Sequence, residues 1–528
     1  MDRIGFQNFR QFTEFNAIEF KGITFLVGKN NSGKSTLIKA LLLVNKYLKS
    51  DSTHLLEFSN NTNDEINIST YGRAKNKFNK VDYIKFKVYF DNYQIRLLIT
   101  GESNATFGRI VSFQLKNYET NTIILFKPYE STLTFKKLSG DIETKLNIYK
   151  SETLKNNLIA EIKALEASLN ESTLDRHSKA YLLERDKINK LKSKIESMES
   201  NLFPKINDEV YSLSYVLESS FEMKIKETCD IALDNLLNQY ESEYHEIQNG
   251  KEQSDNFVNL RGIKEDVQLF KSSLNDFNHY SKAVKLHFLP AQTHKQSSLF
   301  IIQDKTNLLA QVIHDYAQLR ILKGEVASMF VEHWIKEFDI GDQIKIDQVG
   351  GEAYEVTIIN NKKSISLADK GTGTHQLIRI ILKAASIIHV KQNRKFITPF
   401  EVFTVSNLDW LLIEEPELNL HPDFQSKLAD LFFELFEKYR ISTIIETHSE
   451  YIIRRTQVIV AEKELEIAPN TNPFIIHYFT TERDKTSQPF EIKFNPDGTF
   501  QNNFGTGFFD EASQRTLDLI RLKRLNKQ

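Results

Sequence analysis

The sequence predicts an α/β fold whose two halves are separated by a long insertion, and three observations predict it. First, the apolar run Ile23-Thr-Phe-Leu-Val27 leads straight into Gly28-Lys-Asn-Asn-Ser-Gly-Lys-Ser35. Thr36-Leu-Ile-Lys-Ala-Leu-Leu-Leu-Val44 follows with the pattern of a buried helix, which makes a strand–loop–helix unit. Second, far along the chain, the apolar strand Leu411-Leu-Ile ends on the acids of Glu414-Glu-Pro-Glu417. Third, heptad-spaced apolar residues lie between the two. A compact domain of this kind holds roughly 100–150 residues. A chain of 528 residues that keeps both pieces in one site must therefore build something long between them.

Bulk composition narrows the classes. The length suits about three units of ~150 residues each. Net charge is −2 and charged residues make up 26%. A globally basic nucleic-acid binder is excluded by that balance, and a local basic groove is not. The single cysteine, Cys229, rules out an intrachain disulfide and a cysteine zinc site, fits a reducing cytoplasm, and reads as an inert thiol. No run approaches the ~18 apolar residues of a membrane span. Met1-Asp-Arg-Ile-Gly5 lacks a signal peptide's apolar stretch, so the expected location is cytoplasmic and no membrane partner is expected. Only 19 glycines and 10 prolines favour long regular elements over loops.

Each element follows in order. Residues 1–27 read as strands, with Ile18-Glu-Phe20 and Ile23–Val27 β-rich. From Tyr83 to Lys137, alternating runs such as Tyr83-Ile-Lys-Phe-Lys-Val-Tyr-Phe90, Ile95-Arg-Leu-Leu-Ile99 and Thr122-Ile-Ile-Leu-Phe126 predict an antiparallel β-lobe. Leu158, Ile162, Leu165 and Leu169 form one heptad seam, and Ile188, Leu191, Ile195, Met198 and Leu202 form a second. The polar bridge Asn170–Ser178 between them suits a short antiparallel coiled-coil hairpin, or two amphipathic helices packed on the head. Residues 205–283 continue as helix. A strand returns at Val284–Pro290, a helix spans Asn307–Phe338, and short strands follow at Gln343–Asp347, Tyr354–Ile359 and Ile365–Leu367. The domains are therefore 1–149 (loop and β-lobe), 150–283 (helical insertion) and 284–528 (second half of the head).

Four segments carry chemistry. Gly28–Ser35 fits G-x-x-x-x-G-K-[ST] in full. In such a loop the backbone of Gly28, Asn30, Asn31, Ser32 and Gly33 cradles phosphates, and Thr36 opens the helix behind it. Lys34 meets the β/γ charge and the Ser35 hydroxyl binds Mg²⁺. The strand ending at Glu414 delivers its carboxylates where parallel sheets bind ligands. Glu414 suits the Mg²⁺ shell and Glu415 the base that polarises an attacking water. Thr443-Ile-Ile-Glu-Thr-His448-Ser449 is a third strand with a polar tip. His448 alone reads as structural; beside the first two motifs it reads as a contact to the γ-phosphate. Asp369-Lys-Gly-Thr-Gly-Thr-His-Gln376 precedes the helix Leu377–Ala385, and its Gly371, Thr372, Gly373 and Gln376 suit either a phosphate site or a turn with a cap.

In that order these segments resemble the ABC-type ATPase superfamily, in the branch of SMC, RecF and OLD-family proteins. Within it the chain looks like stand-alone bacterial AAA ATPases of phage-defence loci that lack a Toprim nuclease domain. The resemblance implies an ABC-type P-loop ATPase head with a β-lobe and an inserted helical or short coiled-coil region. In Ile4-Gly-Phe-Gln-Asn-Phe-Arg10 it places Arg10 near the nucleotide base. In Glu414-Glu-Pro-Glu-Leu-Asn-Leu-His-Pro422 it places His421 at the D-loop, which touches the other subunit's site. Gly371–Gln376 takes the place of the ABC signature and His448 that of the switch histidine, while Ile492–Asp510 resembles a C-terminal element of some members. There are departures. Glu414 stands where most ABC proteins have aspartate, the signature is not of Ser-Gly-Gly form, and Ser59–Lys80 holds no glutamine for a Q-loop.

The resemblance implies ATP and Mg²⁺ as cofactors and a homodimer through the heads, or a higher oligomer, with Gly371–Gln376 of one subunit closing on the Lys34 loop of the other. One functional reading is an ATP-driven switch that senses or clamps DNA or other nucleic acid and licenses a separately encoded effector in anti-phage defence. Repair in the manner of RecF is a second, and an ATP-gated scaffold docking a protein through 150–283 is a third. Intrinsic nuclease activity is a fourth. The acids after His448 (Glu482, Asp484, Glu491, Asp497, Asp510, Glu511) are scattered without a strand framework and speak against it.

Overall fold

Two strands, β1 (Arg3–Phe9) and β2 (Phe12–Glu19), form the opening hairpin, and β3 (Ile23–Gly28) runs into helix α1 (Lys34–Lys49). Next come β4 (Leu55–Glu57), the short helix α2 (Tyr71–Ala74), β5 (Ile84–Phe90), β6 (Tyr93–Thr100), β7 (Phe107–Asn117), β8 (Thr122–Lys127), β9 (Thr132–Lys137) and β10 (Glu143–Lys150). Strand β11 (Val210–Leu217) and the long helix α3 (Asp255–Ala283) follow. The second half holds β12 (Lys285–Leu289), β13 (Phe300–Ile301), α4 (Leu308–Gln318), α5 (Val326–Glu337), β14 (Gln343–Val349), β15 (Ala353–Asn360), β16 (Lys363–Ser366) and α6 (Thr372–Gln392). It ends with β17 (Asp409–Glu414), α7 (Pro422–Tyr439), β18 (Ser442–Thr447), α8 (Glu450–Glu462), β19 (Phe474–Phe479) and β20 (Phe490–Ile492). The computed structural model describes residues 2–50, 54–59, 66, 68–128, 132–137, 143–150, 185, 187–189, 192, 210–217, 229–235, 237–238, 241, 255–291, 297–394, 408–466, 472–480, 488–504 and 514–519.

The central sheet has six strands in the order β12-β17-β18-β3-β19-β20, parallel except for β20. Its inner strands are buried throughout, as a sheet covered on both faces requires. Alternation sorts the side chains. Leu26, Leu412 and Ile444 join the core on the α1 and β-lobe side, while Phe25, Val27, Leu411, Ile413 and Ile445 join the core built with α4 to α8. The P-loop strand β3 thus lies between β18 and β19, with the carboxylate-bearing β17 one strand further out. The fold is α/β, with the two distant sequence segments in one sheet.

The β-lobe is a ten-stranded sheet in the order β11-β10-β9-β8-β7-β6-β5-β1-β2, with β4 pairing β7. In β5 the residues Ile84, Phe86, Val88 and Phe90 are buried and those between are less so, the half-buried alternation the sequence showed. Helix α3 lies against this lobe: Phe270 meets Phe135 at 5.1 Å between ring centroids, and Asn117 Nδ2 donates to Ser273 Oγ at 3.1 Å. Cys229 is fully buried, and burial pushes its thiol well above the usual range, as an inert thiol requires.

Three expectations change. The continuous helix expected over 205–283 is interrupted by β11, which pairs parallel with β10 from Glu143↔Val210 to Lys150↔Leu217. Val210-Tyr-Ser-Leu-Ser-Tyr-Val-Leu217 is rich in aromatic and β-branched residues, and that composition favours strand. The single helix expected over Asn307–Phe338 is two, α4 and α5, broken where Gly324 takes φ 90°. The segment Ile365–Leu367 is strand only to Ser366 and then turns into a 3₁₀ helix, Leu367–Asp369. Of the two heptad seams only Ile188, helical and buried, lies among the described residues; the coiled-coil hairpin otherwise lies outside them. So do 505–510 of the C-terminal element.

Candidate active site

The site forms at the carboxyl ends of β3, β18 and β17. Gly33 takes φ 107° as the cap of α1, and a Cβ there would sit 2.3 Å from Phe12, so the sharp entry to the helix needs glycine. Loop residues Lys29, Asn30 and Asn31 are exposed, while Ser32 and Lys34 are buried. Lys34 Nζ reaches back over its own loop, donating to the carbonyls of Gly28 at 3.0 Å and Lys29 at 2.9 Å. Ser32 Oγ is buried with no hydrogen-bond partner. A buried hydroxyl left without a partner is costly, and a phosphate oxygen over the loop would satisfy it.

The acids arrive on adjacent strands. Glu414 and Glu446 are register partners on β17 and β18, and Glu446 is in turn the partner of Leu26 on β3. Glu446 is the residue the sequence reading did not assign. Its two carboxylate oxygens accept from Ser35 Oγ at 3.0 and 2.8 Å, and Lys34 Nζ stands 3.8 Å away. Glu414, expected at the Mg²⁺ position, accepts from the Ala291 backbone N–H at 3.2 Å. The signal for Glu446 was an acid within the otherwise apolar run Thr443-Ile-Ile-Glu-Thr447, a strand buried along its whole length.

Glu415 follows β17 in the left-handed region, φ 47°, where a non-glycine residue is strained. Its backbone N–H is tied to the Glu446 carbonyl at 2.8 Å. This turns its carboxylate to His448, whose Nε2 lies 3.8 Å from Glu415 Oε1. The His448 backbone N–H donates to Glu417 Oε1 at 2.6 Å, so Glu417 braces the loop that carries the histidine. Burial dominates the electrostatics. It lowers Lys34 below its ordinary value, with Glu446, Glu415 and Glu417 opposing. It raises the carboxyls of Glu414 and Glu417, and takes Glu446 to about 7. It lowers His448 to about 4, Lys34 adding to the effect, so that histidine is neutral at pH 7.

Beside the loop, Arg10 sits in a left-handed turn, φ 51°. It lines a cleft of about 400 Å³ with Gln11, Ile68, Arg73, Lys75, Lys77 and Phe78. Gln11 Nε2 donates to the Asn31 carbonyl at 3.3 Å, which joins this basic cleft to the phosphate loop.

The signature-like segment is less uniform than the sequence suggested. Helix α6 begins at Thr372 with Gly371 as its cap, so Gly373–Gln376 lie inside the first turns rather than ahead of a helix starting at Leu377. Gly371 is exposed, and nothing stands within 4 Å of where its Cβ would be. A Cβ at Gly373 would meet the Asn419 carbonyl at 2.6 Å, so α6 packs closely on the loop after β17. Gln376 is turned inward, away from the exposed end of the segment. It is 1% exposed, and its Nε2 donates to the carbonyls of Glu415 at 3.3 Å and Pro416 at 3.5 Å of its own chain. His421 caps α7 and its ring is exposed. Arg379, one turn beyond His375, is fully buried, and none of its three guanidinium nitrogens has a hydrogen-bond partner; burial takes it down to about 10.

Residues 1–453 match the family described as AAA ATPase domain. No curated protein matches the chain. Among solved structures it is similar to the Smc head domain with an extended coiled coil bound to the C-terminal domain of ScpA from Pyrococcus furiosus, at 14% identity over 98% of this chain and 99% of that one, with a TM-score of 0.37. It is also similar to the Smc head domain with a coiled coil and joint from Pyrococcus yayanosii (12% identity, 93% and 97% covered, TM-score 0.34) and to the SMC head domain from Thermotoga maritima (9% identity, 93% and 98% covered, TM-score 0.31).

Proposed function

The chain belongs to the AAA ATPase domain family, and from that premise we propose that it binds ATP with Mg²⁺, hydrolyses it, and uses the cycle as a conformational switch between two copies. The observation that carries the reading is the convergence of Lys34, Ser35, Glu415 and His448 at the carboxyl ends of three neighbouring strands.

The loop's backbone N–H groups and the start of α1 receive the β- and γ-phosphates. Lys34 exchanges its own-chain carbonyls for phosphate oxygens. Glu415 takes the proton of the attacking water as its oxygen bonds to the γ-phosphorus and the bond to the ADP oxygen breaks. Neutral His448 sets the water beside Glu415. The hydroxyl and carboxylate oxygens here are hard donors that fit Mg²⁺. Ser35 and an acid at the end of β17, Glu414, would hold Mg²⁺, which would supply positive charge against the phosphates. Arg10 and its cleft suit the nucleoside end.

The close packing of Gly373 on Asn419 supports a shared site, because it joins exposed Gly371 and half-buried Thr372 to the loop bearing His421. In this reading that patch faces the partner copy's phosphates, and Gln376 holds it in place from within. Residues 1–149 and 284–528 then form the head, and 150–283 transmits its closure to an effector or a nucleic acid, in anti-phage defence.

ATP turnover and binding test the site. Lys34→Ala should abolish both. Glu415→Gln should bind ATP, stop turnover and accumulate ATP-bound dimers by light scattering. Unchanged turnover in both variants would remove the assignment. Plaque counts with the wild type and Lys34→Ala, expressed with neighbouring genes, test the defence role.

A further inference from the structure

We propose that Glu446 is a metal-positioning residue of this site, holding Mg²⁺ together with Ser35 either directly or through one water. This rests on the ATPase reading and adds a residue to it. Sheet order gives the first reason. β18 lies between β3 and β17, so Glu446 is one strand nearer the phosphate loop than Glu414. Both of its oxygens are already within 3.0 Å of Ser35 Oγ, the hydroxyl expected to ligate the metal. Glu414 is instead turned to the Ala291 N–H.

Charge gives the second reason. Glu446 is 5% exposed, and the cation at ion-pair distance is Lys34, at 3.8 Å. ATP draws Lys34 toward the phosphates. Glu446 is then left with Glu414 and Glu415 as electrostatic neighbours, both of which act on it unfavourably. A buried carboxylate among acids and a polyphosphate is neutralised by a proton or by a cation, and a cation keeps it ionised beside Ser35. A divalent ion between Ser35 and Glu446 supplies it. A third reason is the buried, unpartnered Ser32 Oγ in the same loop, which marks the cradle as built for a ligand. Among the described residues no three His, Cys, Asp or Glu side chains form a metal cage. Mg²⁺ keeps waters and takes substrate phosphates rather than a full set of protein ligands, so a hydroxyl and one carboxylate are a sufficient protein contribution.

The test reads binding, not turnover. A fluorescent ATP analogue is titrated into full-length protein in EDTA and across a Mg²⁺ series, and Mn²⁺ uptake by the nucleotide complex is followed by electron paramagnetic resonance. Glu446→Gln keeps the size of the side chain and can still accept from Ser35. It should bind nucleotide in EDTA as the wild type does, yet need roughly 10–100-fold more Mg²⁺ or Mn²⁺ for half-saturation. Glu446→Asp should fall between, which guards against a folding defect in one variant, and thermal melts check both. An unchanged metal midpoint overturns the proposal. Tighter nucleotide binding in EDTA with an unchanged midpoint also overturns it, and identifies Glu446 as a plug over Ser35. If Lys34→Ala binds nucleotide as well as the wild type, the ATPase reading itself fails, a result distinct from either.

Discussion

Glu414, Glu446, Leu26 and His477 stand in one row across the central sheet, each the register partner of the next on β17, β18, β3 and β19. On either side of the P-loop strand, then, a buried titratable group sits at the same level. Glu446 is paired to Ser35 and Lys34, side chains that a nucleotide would claim. His477 is paired to a backbone carbonyl that goes nowhere, its Nε2 donating to Glu19 O at 2.6 Å. Burial is nearly equal, 5% and 4% exposed, so burial does not separate them. The mobility of the partner does. In the reading proposed above, a buried titratable group is functional when its partner can leave and structural when its partner is fixed.

The largest expected effect breaks or keeps that division directly. Glu415→Gln, on the β17 side, should lower turnover by roughly 10²–10⁴-fold, the usual contribution of a positioned base. His477→Gln, on the β19 side, retains a donor for Glu19 and should leave turnover within about twofold, an effect well under ~1 kcal/mol of barrier. Steady-state phosphate release measures both. Comparable losses in the two variants would mean that the β19 side also serves the reaction.

His477 has its own signature. Burial holds its pKa at about 4, against an unfolded value of about 6.5. The unfolded chain therefore binds the proton first as pH falls. The stability held by the neutral ring is complete above about pH 6.5 and is lost progressively down to about pH 4, by roughly 3 kcal/mol. Acidic groups titrate over part of the same window, so the useful quantity is the wild type minus His477→Gln in denaturant unfolding at each pH. That difference should slope between pH 4 and 6.5 and be flat above it. A flat difference throughout would mean that the ring takes up its proton at the same pH in the folded and the unfolded chain.

Arg379 is the third case, a buried group with no partner, fixed or mobile. Arg379→Met should raise stability by about 1–3 kcal/mol, because a buried unpaired charge is replaced by an apolar chain of similar length. Thermal unfolding measures it. Loss of ATP-dependent dimers without a gain in stability would show that Arg379 finds its partner only in the engaged state, and would place it with Glu446 rather than outside the site.

What the sequence made legible follows the same physical line. The phosphate loop and Glu415 were readable because their chemistry is contiguous: Gly28 to Ser35 and Glu414 to Glu417 carry spacing and residue type together. Glu446 was not, because a single acid in an apolar strand has no local pattern, and its meaning comes from the strand order that sets β18 against β3. The setting of Gln376 was not legible, for the complementary reason. Its place beside two glycines suggested a ligand contact, while its position along α6 turns it inward to the carbonyls of Glu415 and Pro416. Strand β11 was hidden between charged helical stretches, since a partner as far back as β10 leaves no trace in a short window.

The smallest effect separates two roles of one exposed residue. The His421 Nδ1 accepts from the Asp423 N–H at 3.4 Å, long for a hydrogen bond, so as a cap of α7 it contributes little. His421→Ala should therefore cost no more than about 0.5 kcal/mol in unfolding. Asn is a better cap, so His421→Asn should recover that loss or exceed it. The shared-site reading expects the opposite division in association. In a Glu415→Gln background, both His421 variants should weaken the ATP-dependent dimer, since neither presents an imidazole across the interface. If His421→Asn restores dimer formation along with stability, His421 serves only its own helix. The facing patch is then carried by Gly371 and Thr372 alone, and the surface opposite the phosphate loop must be redrawn around the start of α6.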